Sequence, residues 1–345
     1  MAEETEQQAQ GAAAGEAAGR PAPALHVAPG PHLFDAALTT RRMMLDVLIG
    51  LLPVVAWAVY WFRFCAVVQL GVCVLSCVAA EAIFTAMRRQ PVSIGDFSAV
   101  VTGVILGLSL PGTCPVHVGV IGGFAAIGLG KLVFGGVGMN IFNPAMVGRA
   151  FVMIAFPGLL AAGGYVAKSG GASVAAVTQA TPLTDFAQNA KVAPLIDLLF
   201  GTTNGSLGEV SAAALLIGGL YLCFRRTASW EIPVSAAAGL VLVAGIDNLV
   251  HPGAQWTVLH HFLGGAFLFG ALFIATDPVS SPLTPKGKWI FGLAFGVLVM
   301  LMRIFSAYPE GVMFSVLIVN ALVPLINRWT IPRPVGGPVP AAVKK

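Results

Sequence analysis

The chain has 345 residues, of which 57% are hydrophobic and 10% charged, and its mean hydropathy is +0.85. This composition excludes an ordinary soluble domain and favours a helical protein that crosses a lipid bilayer several times. The net charge of +4 is too small to indicate a nucleic-acid partner. The five cysteines are scattered, which excludes a disulfide framework, and no spacing of Cys or His predicts a metal site.

The first 30 residues are rich in Ala, Gly, Gln, Glu and Pro and contain almost no large apolar side chain. They predict a disordered cytoplasmic tail over 1–38, without the apolar core of a signal peptide. An all-α integral membrane domain is predicted over 39–330, because apolar blocks long enough to cross about 30 Å of hydrocarbon recur there. A second cytoplasmic tail is predicted over 331–345.

Ten transmembrane helices are predicted, with helices 1–5 at about 43–162 and helices 6–10 at about 209–327, on either side of a polar loop over 163–208. Their ranges are about 43–62, 65–87, 94–111, 116–134, 144–162, 209–224, 232–249, 257–276, 289–305 and 310–327. An odd number of helices per half predicts two inverted five-helix halves, if the halves are related. The phrases LSLPGTCP (108–115) and IATDPVSSP (274–282) support that relation, because each ends the third helix of its half in a turn with proline.

The distribution of basic residues predicts the orientation of these helices. Of the 19 Lys and Arg residues, thirteen fall on the side of both termini and three fall in loops on the opposite side. The thirteen are Arg41, Arg42, Arg88, Arg89, Lys131, Arg225, Arg226, Lys286, Lys288, Arg328, Arg333, Lys344 and Lys345. Because cytoplasmic loops carry the excess of Lys and Arg, both termini are predicted to be cytoplasmic and the loop 163–208 to lie outside.

The phrase GGVGMNIFNP (135–144) is a glycine-rich turn before a predicted helix. Asn143 precedes Pro144, the usual order of an N-cap and a first helical residue. Arg149 then lies inside the fifth predicted helix, where a charge is costly. It either pairs with an anion such as phosphate or carboxylate, extends to the surface, or binds loop carbonyls. Such a turn can hold phosphate on its N–H groups, but the spacing matches no nucleotide-binding motif.

Other ionisable residues also fall in or beside apolar segments. The carboxylates of Glu81 and Asp277 indicate either an ion or proton path or, for Asp277, the cap of a turn. Arg303 needs an anion or the membrane surface for the same reason as Arg149. The adjacent His260 and His261 would point in different directions on a helix, which argues against a shared metal. No catalytic triad or other catalytic residue is predicted.

The phrase VTQATPLTDF (177–186) lies in the polar loop between the two halves. Threonine and proline favour turns, and Asp185 can cap a short helix. From composition alone, the phrase is therefore a turn and no more.

Five phrases in a fixed order carry a resemblance to a known family. They are TTRRMMLDVLIGLLP (39–53), GKLVFGGVGMNIFNPAMVGRAF (130–151), TQATPL (178–183), FIATDPVSSPLTPKGKWIFG (273–292) and YPEGVMFSVLIVNALVPLI (308–326). Through them the chain resembles the RnfD/NqrB family, the flavin-carrying membrane subunits of ion-translocating electron-transport complexes. The resemblance covers nearly the whole chain after residue 30.

The resemblance implies a covalent cofactor in the loop between the halves. In that family the threonine that ends a Ser/Thr-Gly-Ala-Thr motif is esterified to the phosphate of FMN by a flavin transferase on the outer face. The matching phrase implies Thr181 as the attached residue and Thr178 as a recognition residue, with Ala180 and Pro182 beside them. Gln179 stands where the family has a small residue, and alanine stands where it usually has an upstream acid.

The resemblance further implies an electron relay between ferredoxin and NAD, within a multi-subunit Rnf complex of the bacterial inner membrane that translocates Na⁺ or H⁺. Because the related B subunit carries riboflavin, Asn143 and Arg149 are candidates for framing a second, noncovalent flavin. One alternative is an NqrB-type subunit of a quinone reductase. Others are a channel or transporter, since intramembrane charges in inverted halves are also a permease pattern, and a scaffold that has lost its flavin.

Overall fold

The computed structural model describes residues 39–89, 94–161, 164–166, 176–178, 181–189, 192–201, 203, 205–209, 211–251, 256–306 and 311–331. Both predicted tails, apart from Ile331, therefore lie outside the described residues. Ala180 also lies outside them, as does much of the predicted loop 163–208. From Thr40 onward the chain forms one compact unit.

The first group of helices matches the first five predicted spans. It consists of α1 (Thr40–Phe62), α2 (Phe64–Met87), α3 (Ser98–Ser109), α4 (Val116–Ile127), α5 (Pro144–Ala155) and α6 (Pro157–Ala161). A 3₁₀ turn at Ile94–Asp96 precedes α3, and a π-helical turn at Gly128–Leu132 extends α4.

The connection to the second group contains short elements. They are the antiparallel strands β1 (Gly164–Val166) and β2 (Ala176–Thr178), then α7 (Pro182–Asn189) and α8 (Leu195–Phe200). In the hairpin, Gly164 pairs with Thr178 and Val166 with Ala176. The all-α prediction therefore missed one small hairpin, which lies outside the predicted spans.

The second group of helices matches the last five predicted spans. It consists of α9 (Ala212–Phe224), α10 (Glu231–Val250), α11 (Val258–Leu263), α12 (Phe267–Phe269), α13 (Pro285–Phe305) and α14 (Val312–Thr330). A π-helical turn at Gly270–Ile274 extends α12, so the eighth predicted span is a helix broken between Leu263 and Phe267.

Five of the described helices are long and apolar enough to cross a membrane: α1, α2, α10, α13 and α14. Shorter apolar helices are α3, α4 with its π turn, α5 and α9. An integral membrane protein built from helices is thereby confirmed. The number of ten spans and the inverted relation of the halves stay predictions, because the remaining helices are too short or interrupted.

Small residues let the longest helices approach closely. A Cβ atom on Gly292 or Gly296 of α13 would collide with Ser235 Oγ and with the carbonyl oxygen of Ala236 on α10. Without a hydrophobic driving force between helices in lipid, such close packing is a principal source of helix association. The contact between α10 and α13, the most extensive among the described elements, therefore depends on side-chain size.

Interrupted helices leave backbone groups that need partners. The carbonyl oxygens of Leu108 and Leu110, at the end of α3, accept from the N–H groups of Gly208 (2.7 Å) and Leu207 (3.2 Å). At the break before α12, the Arg303 guanidinium donates to two carbonyl oxygens of the second group, those of residues 261 and 264. Arg303 thus binds carbonyls, one of the ways in which a buried arginine is satisfied.

We expect Gly296→Ala to lower the free energy of unfolding by about 1–3 kcal/mol, because the added methyl group forces α10 and α13 apart. The matched control is Gly245→Ala on α10, where a Cβ would meet nothing within 4 Å. Thermal unfolding of each purified variant in detergent measures its stability. Equal midpoints for the two variants would show that the close approach does not limit stability.

Candidate functional site

Thr181 is the N-cap of α7. Its carbonyl oxygen accepts from the Asp185 N–H at 2.8 Å, the first hydrogen bond of that helix, and Pro182 occupies the first helical position. Proline is favoured there because that position has no intrahelical use for an N–H group. The sequence order Thr-Pro therefore places Thr181 at the positive end of a helix dipole.

A small pocket of about 10 Å³ adjoins Thr181, and we call it the Thr181 pocket. It is lined by Thr181, Pro182, Leu183, Leu198, Thr203, Gly205, Glu209, Leu263 and Gly265. Residues from α7, α8, the segment before α9 and the break of the eighth span thus meet at one place. Of these elements, only the start of α7 was predicted to belong to a site.

Glu209 is the charged group in the wall of this pocket, among the residues that the structure describes. It is 7% exposed, and its Oε1 lies 3.9 Å from Nη1 of Arg149, which extends from α5. Pairing with an anion was one of the alternatives predicted for Arg149, and the structure places it beside a carboxylate. Glu209 itself was not predicted, although an acid directly before an apolar helix is a signal that could have found it.

An aromatic stack holds α7 in place. The rings of Phe186 and Trp256 lie 4.7 Å apart with an interplanar angle of 27°, and Trp256 is 1% exposed. The Trp256 ring also lies 5.0 Å from that of His260 on α11. Offset stacking of buried rings contributes about 0.5–1.5 kcal/mol beyond the burial of their area. Thr181 therefore sits on a helix that is fixed to the second group of helices.

Asn143 lies at a different pocket from Arg149. It is the N-cap of α5, and its Oδ1 accepts from the N–H groups of Ala145 and Met146. Its Nδ2 donates to the Ile274 carbonyl oxygen at 3.4 Å. When the side-chain amide of Asn320 on α14 is oriented to satisfy both of its neighbours, the amide oxygen accepts from the Asn143 N–H at 3.0 Å. Asn143 therefore joins α5 to the second group of helices.

The pocket at Asn143, which we call the Asn143 pocket, has a volume of about 70 Å³. Its lining includes Ser98, Lys131, Asn140, Asn143, Leu222, Phe273 and Asp277. A mainly apolar lining with a few polar groups is common in small-molecule sites. Both π-helical turns contribute to the wall, through Lys131 and Phe273, and π turns are frequent at functional sites.

A buried ion pair forms one side of the Asn143 pocket. Lys131 Nζ lies 2.7 Å from Glu81 Oε1 and 2.6 Å from Ser98 Oγ, and both charged side chains are at most 3% exposed. Ser98 Oγ in turn donates to Asp96 Oδ1 at 2.7 Å. Lys131 was counted among the basic residues of the cytoplasmic side, but its ammonium group points into the helices instead of into a loop.

The two pockets lie at opposite ends of the same elements. Glu209 precedes α9 and Leu222 lies near its end, and the 13 residues of that helix span about 20 Å. The broken eighth span runs likewise from Gly265 in the Thr181 pocket to Phe273 in the Asn143 pocket. The predicted pair Asn143 and Arg149 is therefore divided between the two sites, with Asn143 at one and Arg149 near the other.

Of the remaining predicted site residues, the structure describes Thr178 and Pro182 but not Ala180. Thr178 lies in β2, paired with Gly164, and Pro182 lines the Thr181 pocket. Among the residues that the structure describes, no group of three or more His, Cys, Asp or Glu side chains could hold a metal ion.

We expect Lys131→Met to lower the free energy of unfolding by about 3–5 kcal/mol, because the Glu81 carboxylate would stay buried without its cation. The double variant Lys131→Met/Glu81→Leu should recover most of the loss. Arg225→Met is the comparison and should cost less, since Arg225 is paired with Asp46 but its side chain is 37% exposed. Denaturant titration in detergent measures all three. A double variant no more stable than Lys131→Met would contradict this account.

Comparisons with known proteins place the chain in a family. The model of the NQR2, RnfD, RnfE family matches residues 26–336. The D subunit of the Na(+)-translocating ferredoxin:NAD(+) oxidoreductase complex of Acetobacterium woodii is 38% identical over 89% of this chain and 93% of its own length. The D subunits of the ion-translocating oxidoreductase complexes of Actinobacillus succinogenes and Halorhodospira halophila are 35% and 38% identical over 89% of this chain and over 96% and 94% of their own lengths. The predicted resemblance is thus confirmed: the chain belongs to the NQR2, RnfD, RnfE family.

Proposed function

We propose that this chain is the D-type membrane subunit of an ion-translocating oxidoreductase complex, which relays electrons between ferredoxin and NAD and so drives Na⁺ or H⁺ transport. The names of the relatives and their coverage of nearly the whole chain support this proposal. The other subunits of the complex and a flavin transferase are the proposed partners. We propose the bacterial inner membrane as its location.

The proposed cofactor is FMN esterified to Thr181, and the position of Thr181 as an N-cap is the observation that carries this proposal. A phosphoester formed there would lie against the N-terminus of α7, where the helix dipole and the first N–H groups favour an anion. Thr178 is instead held in β2, and Thr184 lies within α7.

A flavin at Thr181 would supply the capacity to accept and pass on single electrons. The residues of the chain fix its position. The ester prevents its loss, and the stack of Phe186 on Trp256 fixes the direction in which α7 points. Glu209 and Gly265 close the pocket on the side of the membrane helices. The protein thereby sets distance and orientation, which decide the rate of electron transfer to a fixed partner.

We further propose the Asn143 pocket as the site of a second, noncovalent flavin such as riboflavin. Its lining of apolar side chains with Asn140, Asn143 and Lys131 suits a planar polar ring. Arg149, which was predicted to take part, is not among the residues that line this pocket. The 20 Å or so of α9 between the pockets would then separate the two flavins along the electron path.

The proposed topology has ten spans in two inverted halves, both termini in the cytoplasm and Thr181 outside. The excess of Lys and Arg in one set of loops supports the orientation. The interrupted helices α3 and α11–α12, each the third of its half, support the inverted relation.

We expect Thr181→Val to abolish covalent flavin, since valine keeps the shape of threonine without its hydroxyl group. The chain is co-expressed with a flavin transferase and examined on a denaturing gel under ultraviolet light. Thr184→Val is the matched control and should stay fluorescent, because it makes the same change three residues later in α7. Thr181→Ser should also retain the band, because serine keeps both the hydroxyl group and the capping ability. A fluorescent Thr181→Val band would overturn the assignment of Thr181.

For the Asn143 pocket, we expect Asn140→Leu to reduce the flavin that acid precipitation releases from the purified chain by about tenfold, as for loss of one well-placed polar contact. Asn140 is 7% exposed and lines the pocket, and leucine replaces its amide with an apolar side chain of the same branching. Arg149→Gln is the comparison and should release as much flavin as the wild type, because Arg149 is outside the lining of this pocket. If Arg149→Gln lost the released flavin and Asn140→Leu did not, the second flavin would be assigned to Arg149 instead.

A further inference from the structure

Glu209 lines the Thr181 pocket and is paired with Arg149, which is not itself among the lining residues. Glu209 is fixed by the segment 205–209, whose N–H groups at Leu207 and Gly208 bind the end of α3, and its own N–H donates to the Ser206 carbonyl oxygen at 3.0 Å. Arg149 approaches from α5 with a side chain that is 12% exposed. Glu209 therefore shares the pocket wall with Thr181 while its carboxylate lies within reach of the guanidinium.

The geometry of this pair differs from that of the other buried pair. Arg149 Nη1 and Glu209 Oε1 lie 3.9 Å apart, which is beyond hydrogen-bond distance, whereas Lys131 Nζ and Glu81 Oε1 lie 2.7 Å apart. A guanidinium has five donors in a planar fork and can bind carboxylate and phosphate in the same bidentate manner. Arg149 is thus close enough to attract Glu209 and has the chemistry to bind a second anion as well.

A phosphodiester on Thr181 would place a further negative charge beside the pocket that Glu209 lines. Two neighbouring anions repel each other unless a cation lies between or beside them. Arg149 is the cation that is paired with the Glu209 carboxylate. Arg303, whose guanidinium lies near Gly265, is bound to two backbone carbonyl oxygens and holds the broken helix.

From this arrangement we infer that Arg149 is a positioning residue, the counter-ion that docks the phosphodiester on Thr181, and that Glu209 competes for it. This inference rests on the proposed attachment of FMN to Thr181. It assigns Arg149 to the site at Thr181, and it predicts that loss of the Arg149 guanidinium frees the flavin whereas loss of the Glu209 carboxylate does not. A pair that served only the fold would give effects of the same sign, because either loss breaks the same contact.

The test measures how freely the tethered flavin moves. The full chain is co-expressed with flavin transferase and purified in detergent, its covalent flavin is verified on a denaturing gel, and acrylamide quenching of the native flavin fluorescence is recorded. Acrylamide is uncharged, so the change in pocket charge does not alter its access. Arg225→Gln is the matched control, since it removes a guanidinium from Asp46, which does not line the Thr181 pocket, whereas Glu209, the partner of Arg149, does.

Arg149→Gln should lower the docked population about tenfold, the usual effect of losing one charge-assisted hydrogen bond, and so increase quenching. Arg149→Lys should restore part of the protection, and Arg225→Gln should match the wild type. Glu209→Gln should leave quenching equal to the wild type or lower it, because the competitor for Arg149 is gone.

Increased quenching in Glu209→Gln, or wild-type quenching in Arg149→Gln, would overturn the inference. If Arg149→Gln does not accumulate, the sign of the change in Glu209→Gln and the protection in Arg149→Lys decide between the two accounts. A wild-type chain without any covalent flavin would overturn the proposed function itself. A fluorescent wild type with equal quenching in every variant would overturn the role of Arg149 alone.

Discussion

Every interrupted helix that the structure describes depends on one constraint, which is that backbone N–H and C=O groups inside hydrocarbon must find partners within the chain. The described residues meet it with three kinds of donor. Backbone N–H groups of 207–208 bind the end of α3, the Arg303 guanidinium binds the carbonyl groups at the broken eighth span, and the Asn143 amide binds the Ile274 carbonyl group. The hydrogen bonds donated by Asn143 and by residues 207–208 also join separate parts of the chain. The hydrogen bonds donated by Arg303 lie within the second group of helices.

The same contacts build the two pockets. The segment that binds the end of α3 carries Glu209 into the Thr181 pocket, and the turn that ends at Asn143 forms the other pocket against Phe273. The helices that are too short or too broken to cross a membrane in one piece are thus the ones that make the sites. A site within lipid needs polar backbone and side chains, and an interrupted helix supplies both.

Two buried ion pairs differ in a way that fits different tasks. Lys131 and Glu81 are in direct hydrogen-bond contact, and Lys131 is also bound to Ser98, so this pair holds α2, α3 and α4 together. Arg149 and Glu209 are farther apart, and Glu209 lines the Thr181 pocket. Because a desolvated charge is costly, the phosphodiester proposed on Thr181 would gain from a largely buried arginine close to that pocket.

The sequence by itself determined the membrane class, the approximate place of each helix, the N-cap at Asn143 and the family. These features follow from local composition and order. About twenty apolar residues in succession predict a membrane helix in any fold, and an Asn-Pro step predicts the start of a helix. Thr181 as a candidate came from the family resemblance, and only the folded chain shows that it caps α7.

The tertiary structure alone decided that Arg149 meets Glu209, that Lys131 turns inward to Glu81, and that Asn143 lines a pocket that Arg149 does not line. Pairs roughly 50 or 60 residues apart in sequence leave no local signal, since which charges meet in lipid depends on how whole helices pack.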